Sequence, residues 1–203
     1  MTHSDAALYL LRHPMRSRRV IAWSIPAVTG LALLAAACGD PLGLPQARIT
    51  NEIDTVSLYA LDGTPISVPS AYHIESRSTV RTDRTAIFDF AFNVDAQGRP
   101  VFLPTGALGL GQGAGFQPTA TPFDSVTVAP GSGWVVDSGV VADSGAVLLA
   151  RSRLTTCNFG ASVFLYAKLQ VLRVDSIARR IDFQILVDSN CGYRGLEPGL
   201  PRR

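Results

Sequence analysis

The side chains that could do chemistry in this 203-residue chain are its cysteines and histidines, which are few. The three cysteines are Cys38, Cys157 and Cys191, and the three histidines are His3, His13 and His73. A thiolate can carry an acyl chain, form a disulfide or bind a metal ion, and an imidazole can act as a general base. Which of these occurs depends on what surrounds each residue.

Cys38 ends a long uncharged stretch. Arg16, Arg18 and Arg19 form a basic cluster, residues 20–37 contain no charge, and three alanines stand directly before Cys38. A basic region, an apolar region and small residues at a cleavage point are typical of a secretory signal. The positive charge stays on the cytoplasmic side while the apolar part enters the bilayer. The sequence therefore predicts export.

The motif Ala35-Ala36-Ala37-Cys38 resembles the lipobox of bacterial lipoproteins, with Ala35 where leucine is commoner. The resemblance implies that the Cys38 thiol receives a diacylglycerol, that the chain is cut before Cys38, and that the new amine is acylated. Two or more acyl chains give stable membrane anchoring. The acidic residue sits at Asp40, after Gly39, which by the same resemblance favours the periplasmic face of the outer membrane.

These features divide the chain into a signal peptide (1–37), a lipidated cysteine with its linker (38–47) and one domain (48–203). Met15 offers an alternative start that would give a signal of ordinary length. An uncleaved membrane helix or a plain cleaved signal remain as alternatives. Residues 20–37 are barely long enough to span a bilayer, and no basic cluster follows them.

Removing residues 1–37 takes away four of the 18 basic residues and one of the 16 acidic ones. The remaining chain has 14 basic and 15 acidic residues, so its formal charge is close to zero. This balance leaves no basic field to attract nucleic acid. The length suits one domain with a proper core.

Cys157 and Cys191 are the two cysteines left in an exported chain, which favours one disulfide between them. In the chain-entropy model, closing a loop of about 35 residues contributes about 4 kcal/mol. Two free buried thiols are the alternative. A zinc site would need Cys157, Cys191, His73 and a carboxylate without any close ligand pair, so we predict no metal and no cofactor.

The apolar residues of the mature chain recur with a period of two, which indicates strands. The clearest unit is a C-terminal hairpin: Leu165, Ala167, Leu169 and Val171 share one face, and Ile181, Phe183, Ile185 and Val187 share the next. Near Leu172 and Val174 the apolar residues switch to the other face of the strand, which predicts a β-bulge. Both cysteines flank this hairpin at its open end.

Further strands are predicted along the rest of the domain. Val56, Leu58 and Ala60 alternate inward, and the turn "DAQGRP" joins two strands into a hairpin. In "TAIFDFAFNVD" we expect Phe88, Phe90, Phe92 and Val94 to face the core and Asp89, Ala91, Asn93 and Asp95 to face solvent. Additional strands are predicted at 64–68, 72–82, 124–129, 133–137 and 146–153. Together they predict a mainly β fold: a single antiparallel β-sandwich or barrel-like domain after an N-terminal signal helix.

Three motifs that could carry chemistry are weak. The glycine-rich segment 106–118 fits a loose dinucleotide pattern but lacks the following helix, which favours a mobile surface loop. The repeated Asp-Ser-Gly at Asp137 and Asp143 is more typical of turns than of a calcium site. His73 has serines nearby at Ser70 and Ser76, but no nucleophile elbow occurs.

The sequence thus predicts no catalytic residue. We expect an envelope lipoprotein held at the membrane through Cys38, acting as a non-enzymatic binding or structural module for an envelope protein or glycan. The alternative is an envelope hydrolase that uses carboxylates or His73. Two carboxylates in one cleft, or His73 beside a serine and an acid, would favour that alternative.

Overall fold

The computed structural model describes residues 46–157, 160 and 162–201. The predicted signal, Cys38 and residues 39–45 of the linker lie outside these residues. The strands and two short 3-10 helices are β1 (Ile53–Tyr59), β2 (Ala71–His73), β3 (Ser78–Val80), β4 (Phe90–Val94), β5 (Pro100–Pro104), η1 (Thr105–Leu108), β6 (Gly115–Thr119), η2 (Phe123–Ser125), β7 (Val140–Val141), β8 (Val147–Arg151), β9 (Thr155–Thr156), β10 (Ser162–Val163), β11 (Tyr166–Asp175) and β12 (Arg180–Asp188).

The strands form two five-stranded antiparallel sheets and a small β9–β10 ribbon. The first sheet has the order β1-β12-β11-β8-β6, and the second has the order β3-β2-β4-β5-β7. The two sheets pack together, and within the described residues they do not close into a barrel. The predicted mainly β fold is therefore confirmed, in its sandwich form.

The core between the sheets is rich in aromatic rings. Phe90 of the second sheet lies 5.0 Å from Phe116 and 6.3 Å from Phe183 of the first, measured between ring centroids. Phe102 also packs against Phe183, edge to face at 5.4 Å. Such pairs stabilise a core beyond the area they bury. All of these rings are fully or almost fully buried.

The predicted C-terminal hairpin is confirmed as β11 and β12, and its inward residues all lie in the core. The register shifts between Val171 and Arg173, where the sequence predicted a bulge. Val56, Leu58 and Ala60 are buried as expected. The hairpin around "DAQGRP" is β4–β5, with Phe92 opposite Phe102. Residues 146–153 contain β8.

The prediction that one face of β4 meets solvent is wrong for Asp89 and Ala91, which are buried, whereas Asn93 and Asp95 are partly exposed as expected. Phe90 and Phe92 do enter the core, but Phe88 and Ala91 belong to a second buried cluster on the other side of the sheet. The strand begins only at Phe90, so Phe88 does not continue its alternation. Leu61, Val80 and Leu108 cover that second face.

Four of the additional strand predictions are also corrected. Residues 64–68 form turns and bends, and 72–82 is a hairpin of two short strands rather than one. Segment 124–129 begins in η2, and residues 133–137 contribute only a bridge from Val135 to Phe116. Turn-forming residues interrupt each of these segments, which period-two counting alone does not detect.

Parts of the glycine-rich segment 106–118 form regular structure, where a surface loop was expected. It contains η1 and the strand β6, whose Phe116 lies in the core. A Cβ atom at Gly106 would come within 2.0 Å of the Val136 carbonyl oxygen, so this position requires glycine. Gly109 has a φ of 72° and ends η1 in the left-handed region.

The outer face of the first sheet is covered by loops and carries a buried lysine. Lys168 lies on β11 between Leu149 and Leu186 on the neighbouring strands, and it is 1% exposed. Its Nζ donates to the Phe123 carbonyl at 2.8 Å and to the Val126 carbonyl at 2.9 Å. The ammonium group also lies 4.6 Å from the Phe123 ring centroid. Lys168 therefore fastens η2 to the sheet.

A Lys168→Met variant is expected to lose about 2 kcal/mol of unfolding free energy, because two carbonyl groups lose their charged donor. Burial lowers the pKa of Lys168. Between that lowered pKa and the ordinary value of about 10.4, the unfolded chain binds more protons, so the Lys168 contribution to stability rises with pH. Urea titrations at pH 7 and pH 10 should show a wider gap between the two proteins at pH 10. A constant gap would contradict this account.

Among the described residues, no helix has both the length and the apolar character needed to cross a bilayer.

Candidate functional site

A shallow polar depression lies where the second sheet meets the end of β8. Its cavity volume is about 20 Å³, which is roughly room for one water molecule. It is lined by His73, Glu75, Asp89, Ser152, Arg153, Leu154 and Thr155. Sites that enclose a small molecule usually measure about 300–1,000 Å³. This depression is therefore suited to one polar group of a larger ligand.

Three chain segments supply the lining. His73 is the last residue of β2, and the turn that follows it carries Glu75. Asp89 directly precedes β4, and Ser152–Thr155 follow β8. The depression therefore combines residues from both sheets. The residues that the second sheet supplies lie more than 60 positions before those that the first sheet supplies.

Asp89 is the buried centre of this arrangement, with 1% of its surface exposed. Its Oδ2 accepts the Ile74 N–H at 2.6 Å, and its Oδ1 accepts the Arg153 N–H at 2.7 Å. Arg153 Nε lies 3.8 Å from the same Oδ1. Ile74 follows a strand of the second sheet and Arg153 follows a strand of the first. Asp89 therefore links the two sheets.

The charge state of Asp89 reflects two opposing effects. Burial raises the pKa of Asp89, since removing water disfavours the carboxylate. The N–H groups of Arg153 and Ile74 act in the opposite direction, as do the charges of His73 and Arg153. Burial is the larger effect, so the pKa of Asp89 lies above its ordinary value.

His73 contacts a serine on its own turn. Its Nδ1 lies 2.7 Å from Ser76 Oγ, and Ser76 Oγ lies 2.7 Å from Ser78 Oγ. Both serines are exposed. The structure thus brings Ser76 to His73 as the sequence allowed, but not Ser70, which is buried and pairs its backbone with Val80 and Phe92.

The other hydroxyl groups of the depression are already engaged. Ser152 Oγ donates to the Arg153 carbonyl at 2.6 Å and accepts the Leu165 N–H at 2.8 Å. Thr155 Oγ1 donates to Glu75 Oε2 at 2.7 Å. These bonds fix the ends of strands. Sequence analysis missed Ser152, Arg153 and Thr155, since no local motif marks them.

A serine hydrolase needs a histidine that contacts the nucleophile with one ring nitrogen and an acid with the other. His73 meets the first condition through Ser76. Among the described residues, no hydrogen bond joins His73 to Asp89, whose oxygens accept backbone N–H groups instead. The arrangement can bind polar groups, but it lacks an assembled proton relay.

The described part of the chain contains no group of three or more histidine, cysteine, aspartate or glutamate side chains placed to hold a metal ion. Asp137 lies in a bend, and Asp143 stands just before the turn at residues 144–145. This agrees with the interpretation of the Asp-Ser-Gly repeat as turns.

Cys157 and Cys191 are brought together, as the sequence analysis paired them. Their sulfur atoms lie at disulfide distance, and their Cα atoms are 6.0 Å apart. Cys157 directly follows β9, and Cys191 lies three residues beyond the end of β12. The pair therefore ties the C-terminal segment to the segment before β11.

A second polar cluster holds the start of the domain, and we call Asn51, Asn190 and Tyr193 the tether clamp. Asn190 Oδ1 accepts the N–H groups of Arg48 and Ile49, each at 2.9 Å. Its Nδ2 donates to the Ile49 carbonyl at 2.8 Å. Tyr193 Oη accepts the Ala47 N–H at 3.1 Å.

Asn51 completes the tether clamp from the N-terminal side. Its backbone pairs with Gly199 in both directions, at 2.8 and 3.0 Å. Its buried Nδ2 donates to the carbonyl groups of Gly195 and Glu197. Residues 47–51 are thus fixed to the C-terminal segment that Cys191 ties down. Neither asparagine belongs to a recognisable sequence motif.

Comparison with known proteins finds no family model and no curated protein that matches this chain.

Proposed function

We propose that this protein is a bacterial envelope lipoprotein whose β domain acts as a non-enzymatic binding or structural module, held at the membrane by acylated Cys38. The lipobox-like Ala35–Cys38 after a basic and apolar segment supports the anchor. Gly39 and Asp40 favour the periplasmic face of the outer membrane. The near-neutral mature chain suits a protein or glycan partner rather than nucleic acid.

The tether clamp supports this proposal from the side of the domain. A lipid anchor holds a domain at the surface only through the chain that joins them. Asn51 and Asn190 fix that chain by hydrogen bonds with partners about 140 or more residues away in the sequence. The same segment is tied by the Cys157–Cys191 pair. The domain thus begins at a firmly held point of attachment.

The hydrogen bonds of Asp89 are the observation that supports a non-enzymatic function. A catalytic acid must be able to exchange its proton with a reacting group. Both oxygens of Asp89 instead accept backbone N–H groups from different sheets. The only histidine of the mature chain is therefore left without a hydrogen-bonded acid in the described residues.

A hydrolase is the second candidate, and one contact favours it. His73, which lines the depression with Glu75 and Asp89, has its Nδ1 2.7 Å from Ser76 Oγ. The test uses purified mature protein with p-nitrophenyl acetate and p-nitrophenyl glycosides. His73→Gln and Ser76→Ala remove the candidate groups, and Ser57→Ala, an exposed serine bonded to Asp182 on the first sheet, is the matched control.

We expect all four proteins to hydrolyse these probes at the same low rate. Activity that disappears in His73→Gln and Ser76→Ala but persists in Ser57→Ala would replace the module with a hydrolase. Activity lost on changing Glu75→Gln would assign a carboxylate instead.

The binding function is tested by placing a photo-crosslinking phenylalanine derivative at Leu154 in living cells. Leu154 lines the depression and is 60% exposed, whereas Leu172 is 45% exposed at the bulge of β11 and serves as control. An adduct to an envelope protein or glycan from position 154 alone is expected. Equal labelling from both positions, or none, would favour a structural module without a ligand at this depression.

A further inference from the structure

The chain segment between Cys38 and the domain, which we call the tether, can span only a short distance. Gln46 is eight residues after Cys38, and an extended chain spans at most about 3.6 Å per residue. Ala47, the first clamped residue, is nine residues after Cys38 and therefore lies within about 32 Å of Cys38. Any surface beside the tether clamp is close to the bilayer for as long as the anchor is in place.

Exposed apolar side chains surround this point. Ile49 is 47% exposed, Ile53 is 45% exposed and Leu200 is 59% exposed. Asn51 pairs with Gly199, so the segment that bears Ile49 and Ile53 runs beside the segment that bears Leu200. The three side chains thus stand at the place where the tether joins the domain.

The two chain segments that carry these side chains are basic in sequence, which favours an anionic surface. Arg48 and Arg194 are exposed, and Arg202 and Arg203 follow Leu200 in the sequence. Two acids, Glu52 and Glu197, lie in the same segments. In the sequence, residues 46–53 and 194–203 contain four arginines and two glutamates, and anionic lipid headgroups attract such basic segments within a Debye length.

We propose that the face formed by Ile49, Ile53 and Leu200 rests on the lipid surface and places these side chains among the headgroups. The inference rests on the proposed lipidation at Cys38. Exposed apolar side chains in arginine-containing segments have the chemistry that binds an anionic membrane interface. The occupant of this face is the bilayer that holds the anchor, and the domain is thereby oriented.

The orientation predicts which end of the domain points away from lipid. Ile177 is 96% exposed at the turn between β11 and β12. The nine residues of β12 separate this turn from the segment that contains Asn190. At about 3.3 Å per residue, the two ends of the strand are about 30 Å apart. Ile177 therefore provides a control of similar chemistry at the opposite end.

The test uses full-length mature lipoprotein reconstituted into vesicles of phosphatidylethanolamine and brominated phosphatidylglycerol. Trp134 is the only tryptophan of the mature chain, so both reporters are built in a Trp134→Phe background. Leu200→Trp reports on the proposed face, and Ile177→Trp reports on the far turn. Bromine quenches tryptophan fluorescence only at short range.

We expect quenching of the Leu200→Trp protein to exceed that of the Ile177→Trp protein at least twofold. Equal quenching at both positions, or none at position 200, would overturn the inference. Ile49→Trp is a second reporter on the same face, for use if Leu200→Trp does not fold. Quenching of the Ile49→Trp protein should likewise exceed that of the Ile177→Trp protein at least twofold.

Flotation of the vesicles tests the lipid anchor separately from the lipid-facing surface. Protein that floats with the vesicles but shows no quenching at position 200 retains its anchor, and only the lipid-facing surface is then refuted. Protein that stays at the bottom of the gradient lacks the anchor, and the proposed lipoprotein is then refuted as well.

Discussion

An Asp89→Ala variant is expected to lose about 4 kcal/mol of its free energy of unfolding. The substitution leaves the N–H groups of Ile74 and Arg153 without their acceptor, and each buried unpaired donor costs about 1–3 kcal/mol. It also removes the carboxylate that lies 3.8 Å from Arg153 Nε. Because Asp89 joins the two sheets, the loss falls on the whole sandwich.

Urea denaturation at pH 7 measures this effect, and Glu75→Ala is the matched control. Glu75 lines the same depression, but it is exposed and its bond to Thr155 is also exposed, so a change within about 0.5 kcal/mol is expected. If Asp89→Ala were as stable as Glu75→Ala, Asp89 would not be the link between the sheets. A functional role for its carboxylate would then regain support.

The double variant Cys157→Ser/Cys191→Ser is expected to lose a similar amount, about 4 kcal/mol, because the unfolded chain is no longer closed over a sequence separation of 34 residues. Cys191 is the neighbour of Asn190, so the tether clamp should also loosen. Hydrogen exchange at the amides of Arg48 and Ile49 is expected to become faster than in the unaltered protein.

The unaltered protein with a thiol reductant is the control for this pair. Reduction should bring its stability to that of the double variant, and should leave the double variant unchanged. If reductant has no effect on the unaltered protein, the two thiols are not joined in the protein as isolated. If exchange at residues 48 and 49 stays slow, the tether clamp holds without help from the cysteines.

The C-terminal hairpin was predictable from the sequence, because the alternation of apolar and polar residues and the turn between its strands are local features. The apolar residues of β11 and β12 alternate up to the bulge, a short turn joins the strands, and the shift of the apolar residues to the other face near Leu172 marked the bulge. The pairing of Cys157 with Cys191 followed from their positions at the ends of this hairpin. In each case the information lies within a few residues of the feature that it predicts.

The buried polar residues were not predictable in the same way. Asp89 and Lys168 both occupy positions that alternation assigns to solvent. Each is buried because a distant segment folds over it: the segment after β8 covers Asp89, and η2 covers Lys168. Period-two alternation separates two faces of a strand but does not tell whether loops cover the second face.

The depression and the tether clamp were missed for a related reason. Ser152, Arg153 and Thr155 meet His73 only after the two sheets have packed. Asn51 and Asn190 are separated by most of the domain and act on backbone groups, which carry no signature in the sequence. The sequence did provide the residues for the proposed anchor, because that signal is contiguous.

The intact mass of the protein from its native membranes, alkylated without prior reduction, tests the central claim most directly. The account predicts a chain that begins at Cys38, carries acyl chains and has no alkylated thiol at Cys157 or Cys191. A chain that begins at Met1 or Met15 and carries alkylated cysteines would contradict the anchor and the disulfide together.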